Sequence, residues 1–335
     1  MVRGLVVTAQ GQIAVKELAK TKELPPRHVR VQTLNSVASV GTELGMIRGR
    51  RQGTCPGEAR LGYSAVGVVT ESAAEGFQTG QRVAVYGAPY VWHCSELLVP
   101  ATLAVPVPDN VTNPSAATVG LGAIALHALR SAGTELGHEV VIMGLGILGT
   151  ILARLAAAAG CFVYASDPLK ERRGRVQDPR IRTCHPGELP ELVLDQTKGH
   201  GADTVFLMMG TADTETLEEA VDLARLRGTV SVVSDAQAQL PRALLFKKET
   251  RLIVPQAGGP GRYDEIYERE ARDYPYSEVR WTEGRNMESY IRLLAQGFLT
   301  VDDLLPEAVP LEEAPSSYAH LEQGGGGELT VVFRY

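Results

Sequence analysis

The sequence predicts an α/β protein in two parts, a small all-β domain and a doubly wound parallel sheet with helices on both faces. Three observations predict it. Residues 1–105 hold only short β-prone runs punctuated by Gly, Pro and Asn, the pattern of a small barrel or sandwich. From Glu139 onward, apolar runs of strand length alternate with helical stretches, and such alternation gives a parallel sheet. At the head of that alternation an apolar run is followed at once by Gly144, Gly146 and Gly149 in G-x-G-x-x-G spacing. A chain of 335 residues accommodates two domains.

Leu5 to Val7, Gln12 to Val15 and Val29 to Leu34 read as the first strands. Ser64 to Glu71, Arg82 to Val85 and Glu96 to Val99 continue the series. Pro106-Val-Pro-Asp-Asn110 is a rigid linker. Pro114 to Ser131 reads as one helix of mostly small residues, and its two glycines signal close packing or a nearby ligand. The second domain takes strands at Val140 to Met143, Cys161 to Ala165, Arg180 to Thr183, Ala202 to Met209, Gly228 to Ser234 and Arg251 to Pro255. Its helices are Thr150 to Ala159, Glu188 to Thr197, and Leu217 to Leu226 with a basic last turn. A helix from Arg285 to Gln296 follows, with Met287, Tyr290, Ile291, Leu293 and Leu294 on one face. Val301 to Leu305 and Leu329 to Tyr335 complete the chain, and Gly324 to Gly327 reads as a short flexible turn.

The order strand, glycine turn, helix, strand, acid points to dinucleotide binding. Gly144 permits the tight turn, Gly146 lets backbone approach a pyrophosphate, and Gly149 lets the helix lie close to the strand. The free N–H groups of the helix start, at Ile147 and Leu148, face the phosphates. Asp167, at the end of the second strand, is placed to accept hydrogen bonds from an adenosine ribose. That favours NAD, with NADP the alternative. A 2′-phosphate ~4 Å from the carboxylate meets a repulsion of about 4 kcal/mol at an effective dielectric near ~20. Lys170, Arg172 and Arg173 lie just downstream and are the residues that would offset it.

Composition excludes other classes. The net charge is −6 with no basic block, which argues against nucleic acid and anionic membranes. The four cysteines, Cys55, Cys94, Cys161 and Cys184, are scattered, so neither a disulfide framework nor a cysteine-built zinc site is expected. No signal-like segment and no run of membrane-spanning length is visible, and the expectation is a cytoplasmic protein.

The whole chain resembles the medium-chain dehydrogenase/reductase superfamily. The resemblance rests on Val40-Gly-Thr-Glu-Leu44, Gly62-Tyr-Ser-Ala-Val-Gly-Val-Val69, Gly80-Gln-Arg-Val-Ala-Val85, the Gly144 to Asp167 unit and the tail from Phe298 to Ala319. It implies a GroES-like β-barrel catalytic domain, residues 1–113 and 258–335, and a Rossmann dinucleotide-binding domain, residues 114–257. In zinc-dependent members a Cys, a His and a later Cys or Glu bind the metal. Those positions here are Val40, Tyr63 and Gly120, so no zinc is expected. Quinone and enoyl reductases usually carry Asn-Pro where this chain has Val40-Gly-Thr-Glu43. The chain is more similar to zinc-less alcohol-oxidising members, including bacteriochlorophyllide dehydrogenase-like proteins. It shares with them Gly258-Gly-Pro-Gly-Arg-Tyr-Asp264 and Val279-Arg-Trp-Thr-Glu-Gly-Arg-Asn286.

Without a metal, side chains must manage the proton of the reacting oxygen. The resemblance puts Thr42 at a position that hydrogen-bonds that oxygen, Tyr63 at the vacated metal site, and His93 among pocket-lining residues. Histidine is the side-chain type suited to proton exchange near neutrality, which makes His93 the first candidate for general acid/base. Glu43 and Arg280 are read as a pair or as contacts to a polar substrate, with Tyr263 and Trp281 offering stacking and hydrogen bonds. Arg285 is the candidate for the cofactor phosphates, because the family's basic residue near the last strand is Glu328 here. The reading is a zinc-independent NAD(P) oxidoreductase for a functionalised secondary alcohol, a homodimer through the Arg251 to Pro255 edge. Its rivals are a zinc-less enoyl or quinone reductase and a non-catalytic dinucleotide-binding protein.

Overall fold

The computed structural model describes residues 1–324 and 327–335; part of the turn expected at Gly324 to Gly327 therefore lies outside the described residues. The chain divides into two compact units, Met1–Ala123 with Gly258–Tyr335, and Ile124–Ala257.

In the first unit the main sheet runs Val309–Pro310, Val332–Arg334, His28–Val37, Ser64–Ser72, Arg82–Tyr86, Ala104–Pro106, and Glu96–Pro100 also pairs with His28–Val37. A second sheet orders Ile13–Leu18, Val2–Val7 and Ala59–Arg60. Their inner faces are largely valine, including Val6, Val29, Val31, Val69, Val83, Val85 and Val99, which suits a pleated, buried surface. Two features depart from the sequence reading. Val40–Arg51 is a helix, where glycines 41, 45 and 49 conceal the helical signal. The helix expected from Pro114 to Ser131 is two, Asn113–Ala117 and Val119–Ala132. Thr118 marks the break, its hydroxyl bonded to the Ser115 carbonyl at 2.6 Å and to the Tyr290 hydroxyl at 2.7 Å. The glycines serve packing: a Cβ at Gly122 would stand 2.1 Å from the Tyr290 ring, and one at Gly120 2.5 Å from Tyr86. The first turn of Val119–Ala132 is thereby built into the first unit, so the division falls later than the expected 113/114 boundary.

The second unit is a six-stranded parallel sheet, ordered Ile181–Cys184, Phe162–Ser166, Glu139–Met143, Ala202–Leu207, Ala224–Val232, Arg251–Ile253. Val140, Val141, Ile142, Val205, Phe206 and Leu207 are fully buried, as the central strands of a parallel sheet must be when helices cover both faces. The helix expected to reach Leu226 is Thr214–Leu223, and Ala224 already begins the next strand. The basic residues assigned to its last turn are strand residues instead, and Arg225 pairs with Asp203 at 2.6 Å. Among the described residues no helix is long and apolar enough to cross a membrane.

Candidate functional site

In the second unit, the strand Glu139–Met143 delivers the chain to Gly144, which turns with φ +111, a conformation few other residues adopt. Gly146 is the N-cap of the helix Ile147–Ala158, and a Cβ there would meet nothing within 4 Å. A Cβ on Gly149 would stand 2.0 Å from the Gly144 carbonyl oxygen, so the helix fits against the turn only with glycine. The first intrahelical bond is from Thr150 N–H to the Gly146 carbonyl. The N–H groups of Ile147, Leu148 and Gly149 therefore have no partner within the helix and carry its positive end. The cradle has open space where a diphosphate needs it, and a nicotinamide dinucleotide fits these residues.

Asp167 is buried beside this turn. Its Oδ2 accepts from Leu145 N–H at 2.9 Å and its Oδ1 from Leu169 N–H at 2.9 Å, so it also ties the glycine turn to the second strand. Arg172 reaches Asp167 Oδ2 at 3.4 Å, and its Nε is buried with no hydrogen-bond partner. Arg173 donates to the Asp167 carbonyl at 2.6 Å. Arg285, expected at the phosphates, is committed elsewhere. It belongs to the first unit, pairs with Asp273 at 2.7 Å, and donates to the carbonyls of Tyr274 and Val279. It braces the segment before its own helix.

In the first unit the candidate residues separate into two groups. Tyr63 donates to Ser39 Oγ at 2.7 Å, and Ser39 Oγ donates to Thr42 Oγ1 at 3.3 Å. Thr42 is exposed at the start of the helix Val40–Arg51, so these three hydroxyls run from interior to surface. Burial pushes the Tyr63 hydroxyl up to about 12, so it stays protonated near neutrality.

His93, expected among pocket-lining residues, is bonded to other partners than these three. It is 0% exposed; its Nδ1 meets Ser36 Oγ at 2.7 Å and its Nε2 meets Glu43 Oε2 at 3.0 Å. Tyr318 donates to the same carboxylate oxygen, and Ser36 Oγ also meets the Tyr335 hydroxyl at 2.8 Å. Gly62, at φ +90, lies against the His93 ring, leaving no room for a Cβ. Glu43 is thus neither a partner of Arg280 nor a surface group. Its other oxygen accepts from Ser39 N–H at 2.6 Å, which secures the start of the helix. Arg280 stacks on Trp281 and Tyr276, with its guanidinium carbon 3.6 Å and 4.5 Å from the ring centroids. Tyr263 is exposed, and Arg262 lies over its ring at 4.3 Å.

The structure adds a residue that the sequence reading passed over. Glu283 is fully buried, and neither carboxyl oxygen has a hydrogen-bond partner. The nearest cation, Arg262, is bonded to Glu268 at 2.6 Å. Burial, with Glu268 adding to it against the pull of Arg262, pushes the Glu283 carboxyl up to about 8. Its place at the start of the helix Glu283–Ala295 favours charge by only about 0.3–1 kcal/mol, whereas desolvating an ion costs several kcal/mol, so burial wins. The signal was available: Glu283, Asn286, Met287, Tyr290 and Ile291 are the buried residues of this helix, at i, i+3, i+4, i+7 and i+8.

The Tyr86 ring lies beside both Glu283 and Tyr63. A Cβ at Gly258 would stand 2.7 Å from Tyr86 Cε1 and 3.3 Å from Glu283 Oε2, so ring and carboxyl face the same point. Tyr86 meets Tyr63 edge-on, with centroids 5.6 Å apart. Gly120 also abuts Tyr86, so Gly120 and Tyr63 both border this ring. Val, Tyr and Gly offer no zinc donor set, and among the described residues no group of three His, Cys, Asp or Glu is gathered to hold a metal.

No family model matches the chain. A protein of Rhizobium meliloti named as a D-xylulose reductase is 24% identical over 353 residues, covering 95% of this chain and 94% of its own. A Mycobacterium tuberculosis protein named as a zinc-binding alcohol dehydrogenase is 24% identical over 371 residues, covering 99% of this chain and 88% of its own. Among solved structures, the alcohol dehydrogenase of Thermus sp. ATN1 superposes with a TM-score of 0.80 at 20% identity, over 99% of both chains. The fold is that of the medium-chain alcohol dehydrogenases.

Proposed function

We propose that the chain is a zinc-independent, NAD(P)-dependent oxidoreductase of the medium-chain dehydrogenase/reductase superfamily, interconverting a secondary alcohol and a ketone on a polyhydroxylated, sugar-like substrate. The observation that carries the reading is the cradle around Gly146, open in front of a helix start and flanked by a buried acid. The similarity to a protein named as a D-xylulose reductase supports the substrate class. The donor set supports zinc independence, since Val40, Tyr63 and Gly120 stand where the resemblance to zinc-dependent members implies ligands.

Gly146 and the N–H groups of Ile147, Leu148 and Gly149 hold the diphosphate, and Asp167 accepts from the ribose. The bound dinucleotide supplies hydride exchange. The proton at the substrate oxygen belongs to the chain: the hydroxyls of Tyr63, Ser39 and Thr42 bind and orient that oxygen, and the high proton affinity of Tyr63 keeps its hydrogen available at neutral pH.

The test combines NADH and NADPH binding, turnover across a panel of polyols and ketoses, and elemental analysis of the purified protein. The reading predicts tighter NADH than NADPH binding, a preference that Asp167→Ala erodes. Tyr63→Phe is expected to lower turnover by ~10²–10⁴-fold while dinucleotide affinity holds. One tightly bound zinc per chain, lost together with activity, would refute the metal-free part. Dinucleotide binding with no turnover across the panel would refute the enzyme.

A further inference from the structure

We propose that the first unit carries a binding site for a small monocarboxylate with an apolar body, in a cavity separate from the hydroxyls of Tyr63, Ser39 and Thr42. Such a site is independent of the dehydrogenase reading, and its absence would leave that reading as it stands. The cavity encloses about 300 Å³, and all its lining residues belong to the first unit. That is the low end of the ~300–1,000 Å³ of small-molecule sites, so the occupant is small. The cavity exists because side chains, not a ladder, hold the segment after strand Ile13–Leu18. Arg30, 2% exposed, donates to the Thr21 carbonyl at 2.9 Å and the Lys22 carbonyl at 3.3 Å. Lys20 pairs with Glu96 at 2.7 Å. These side chains are longer than a strand-to-strand hydrogen bond, so the segment stands off strand Glu96–Pro100 and leaves a gap. Strand-like alternation separates the gap from the buried histidine: Trp92 and Cys94 line it, while His93 between them faces Glu43 and Ser36.

Charge and shape select the ligand class. Glu96 is offset by Lys20 at 2.7 Å and Arg30 at 3.3 Å, and Arg30 also meets Glu71 at 3.0 Å. The lining residues and their ion-pair partners thus hold three cations and two carboxylates, and the cation left over is Arg60. Among the described residues no carboxylate pairs with Arg60, whose guanidinium carbon lies 4.6 Å from the centroid of the Trp92 ring. Trp92 is itself fixed, since a Cβ on Gly4 would stand 2.1 Å from its ring. Arg60 is therefore an exposed guanidinium laid on a rigid platform, and little freedom remains to be lost when an anion binds. One planar fork matches one carboxylate, held by two parallel hydrogen bonds. A phosphate dianion would meet a single free cation with Glu96 close by, so the site favours a monoanion. Leu18, Tyr90 and Leu97 offer the rest of the molecule an apolar wall. Burial raises the Cys94 thiol, which stays neutral and adds no charge to that wall.

The experiment uses the full chain, with benzoate as the probe and benzamide as its uncharged counterpart. Trp92 and Trp281 are the two tryptophans of the chain, so Trp281→Phe leaves Trp92 as the sole indole reporter in the cavity. Benzoate, titrated into this variant at constant ionic strength, is expected to change the Trp92 fluorescence saturably, with a Kd on the order of 1 mM. Benzamide should bind ~10-fold more weakly or worse, because it cannot form the ion pair. Adding Arg60→Gln should weaken benzoate by ~10-fold or more while benzamide affinity and melting temperature hold. Arg60→Lys, which keeps the charge and loses the fork, should recover part of that affinity. Adding Tyr63→Phe instead should leave benzoate binding as it was. No saturable change up to ~100-fold above the expected Kd would overturn the site, leaving the cavity an empty cleft. So would equal affinity for benzamide, or benzoate binding that survives Arg60→Gln. Loss of benzoate binding in Tyr63→Phe would place the ligand at the hydroxyls and overturn the site as well.

Discussion

At the residue scale, His93 and Glu283 exchange the roles that residue type suggests. His93→Ala is expected to remove the hydrogen bonds of the ring to Glu43 and Ser36 in the interior and to cost roughly 1–3 kcal/mol of stability, read from the denaturant midpoint. A variant that keeps its midpoint but loses turnover would return His93 to the chemistry. Glu283 has the opposite signature. Its proton affinity is higher folded than unfolded, so folding takes up a proton, and stability is lost as pH rises from the unfolded value of 4.5 through about 8. Wild type should therefore fall behind Glu283→Gln over that interval, by at most about 5 kcal/mol at the alkaline end. Parallel stability curves for the two proteins would show that Glu283 is ionised throughout. Of the two only His93 was singled out from the sequence, and the surroundings of neither were legible there. Whether a histidine is sealed or open depends on Ser36, Tyr318 and Tyr335, which are remote in the chain and meet only after folding.

At the element scale, the glycine turn separates binding from folding. Gly146→Ala places its methyl in open space at φ −66, ψ −179, so the melting temperature should hold while dinucleotide affinity falls. Gly149→Ala drives a methyl toward the Gly144 carbonyl at 2.0 Å, so the melting temperature should drop with or without ligand. Equal thermal loss in both variants would mean that Gly146 is structural too. This unit was the most readable part of the chain, because strand, turn and helix are adjacent in sequence and each is dictated locally. Helix Val40–Arg51 was missed for the complementary reason. Its glycines lower local helix propensity, and it is held instead by burial of Leu44 and Ile47 and by Glu43 bonding back to Ser39 N–H. The end of Thr214–Leu223 was missed because Arg225 suits either a helix end or a strand, and only Asp203 decides.

At the scale of the whole molecule, the strand Arg251–Ile253 is an edge of the parallel sheet, and Val254 beside it is 76% exposed. Phe246, in the helix just before it, is 78% exposed. An open apolar edge needs cover, and a second copy paired across a two-fold axis would supply it. Light scattering at micromolar concentration is expected to give a dimer, and Val254→Lys to weaken it. A wild-type monomer would end this reading. The pairing of Val332–Arg334 with His28–Val37 has a different consequence, in time rather than space. Synthesis runs from the N-terminus, so the first β domain waits, the places of Val309–Pro310 and Val332–Arg334 in its main sheet unfilled, until those residues have been made. The continuous stretch Ile124–Ala257 waits for nothing and can fold on the ribosome. The later unit in the sequence is thus the earlier one to mature, and a chain released early would carry a competent dinucleotide cradle beside a barrel left open at Ser36, without the Tyr335 that closes it.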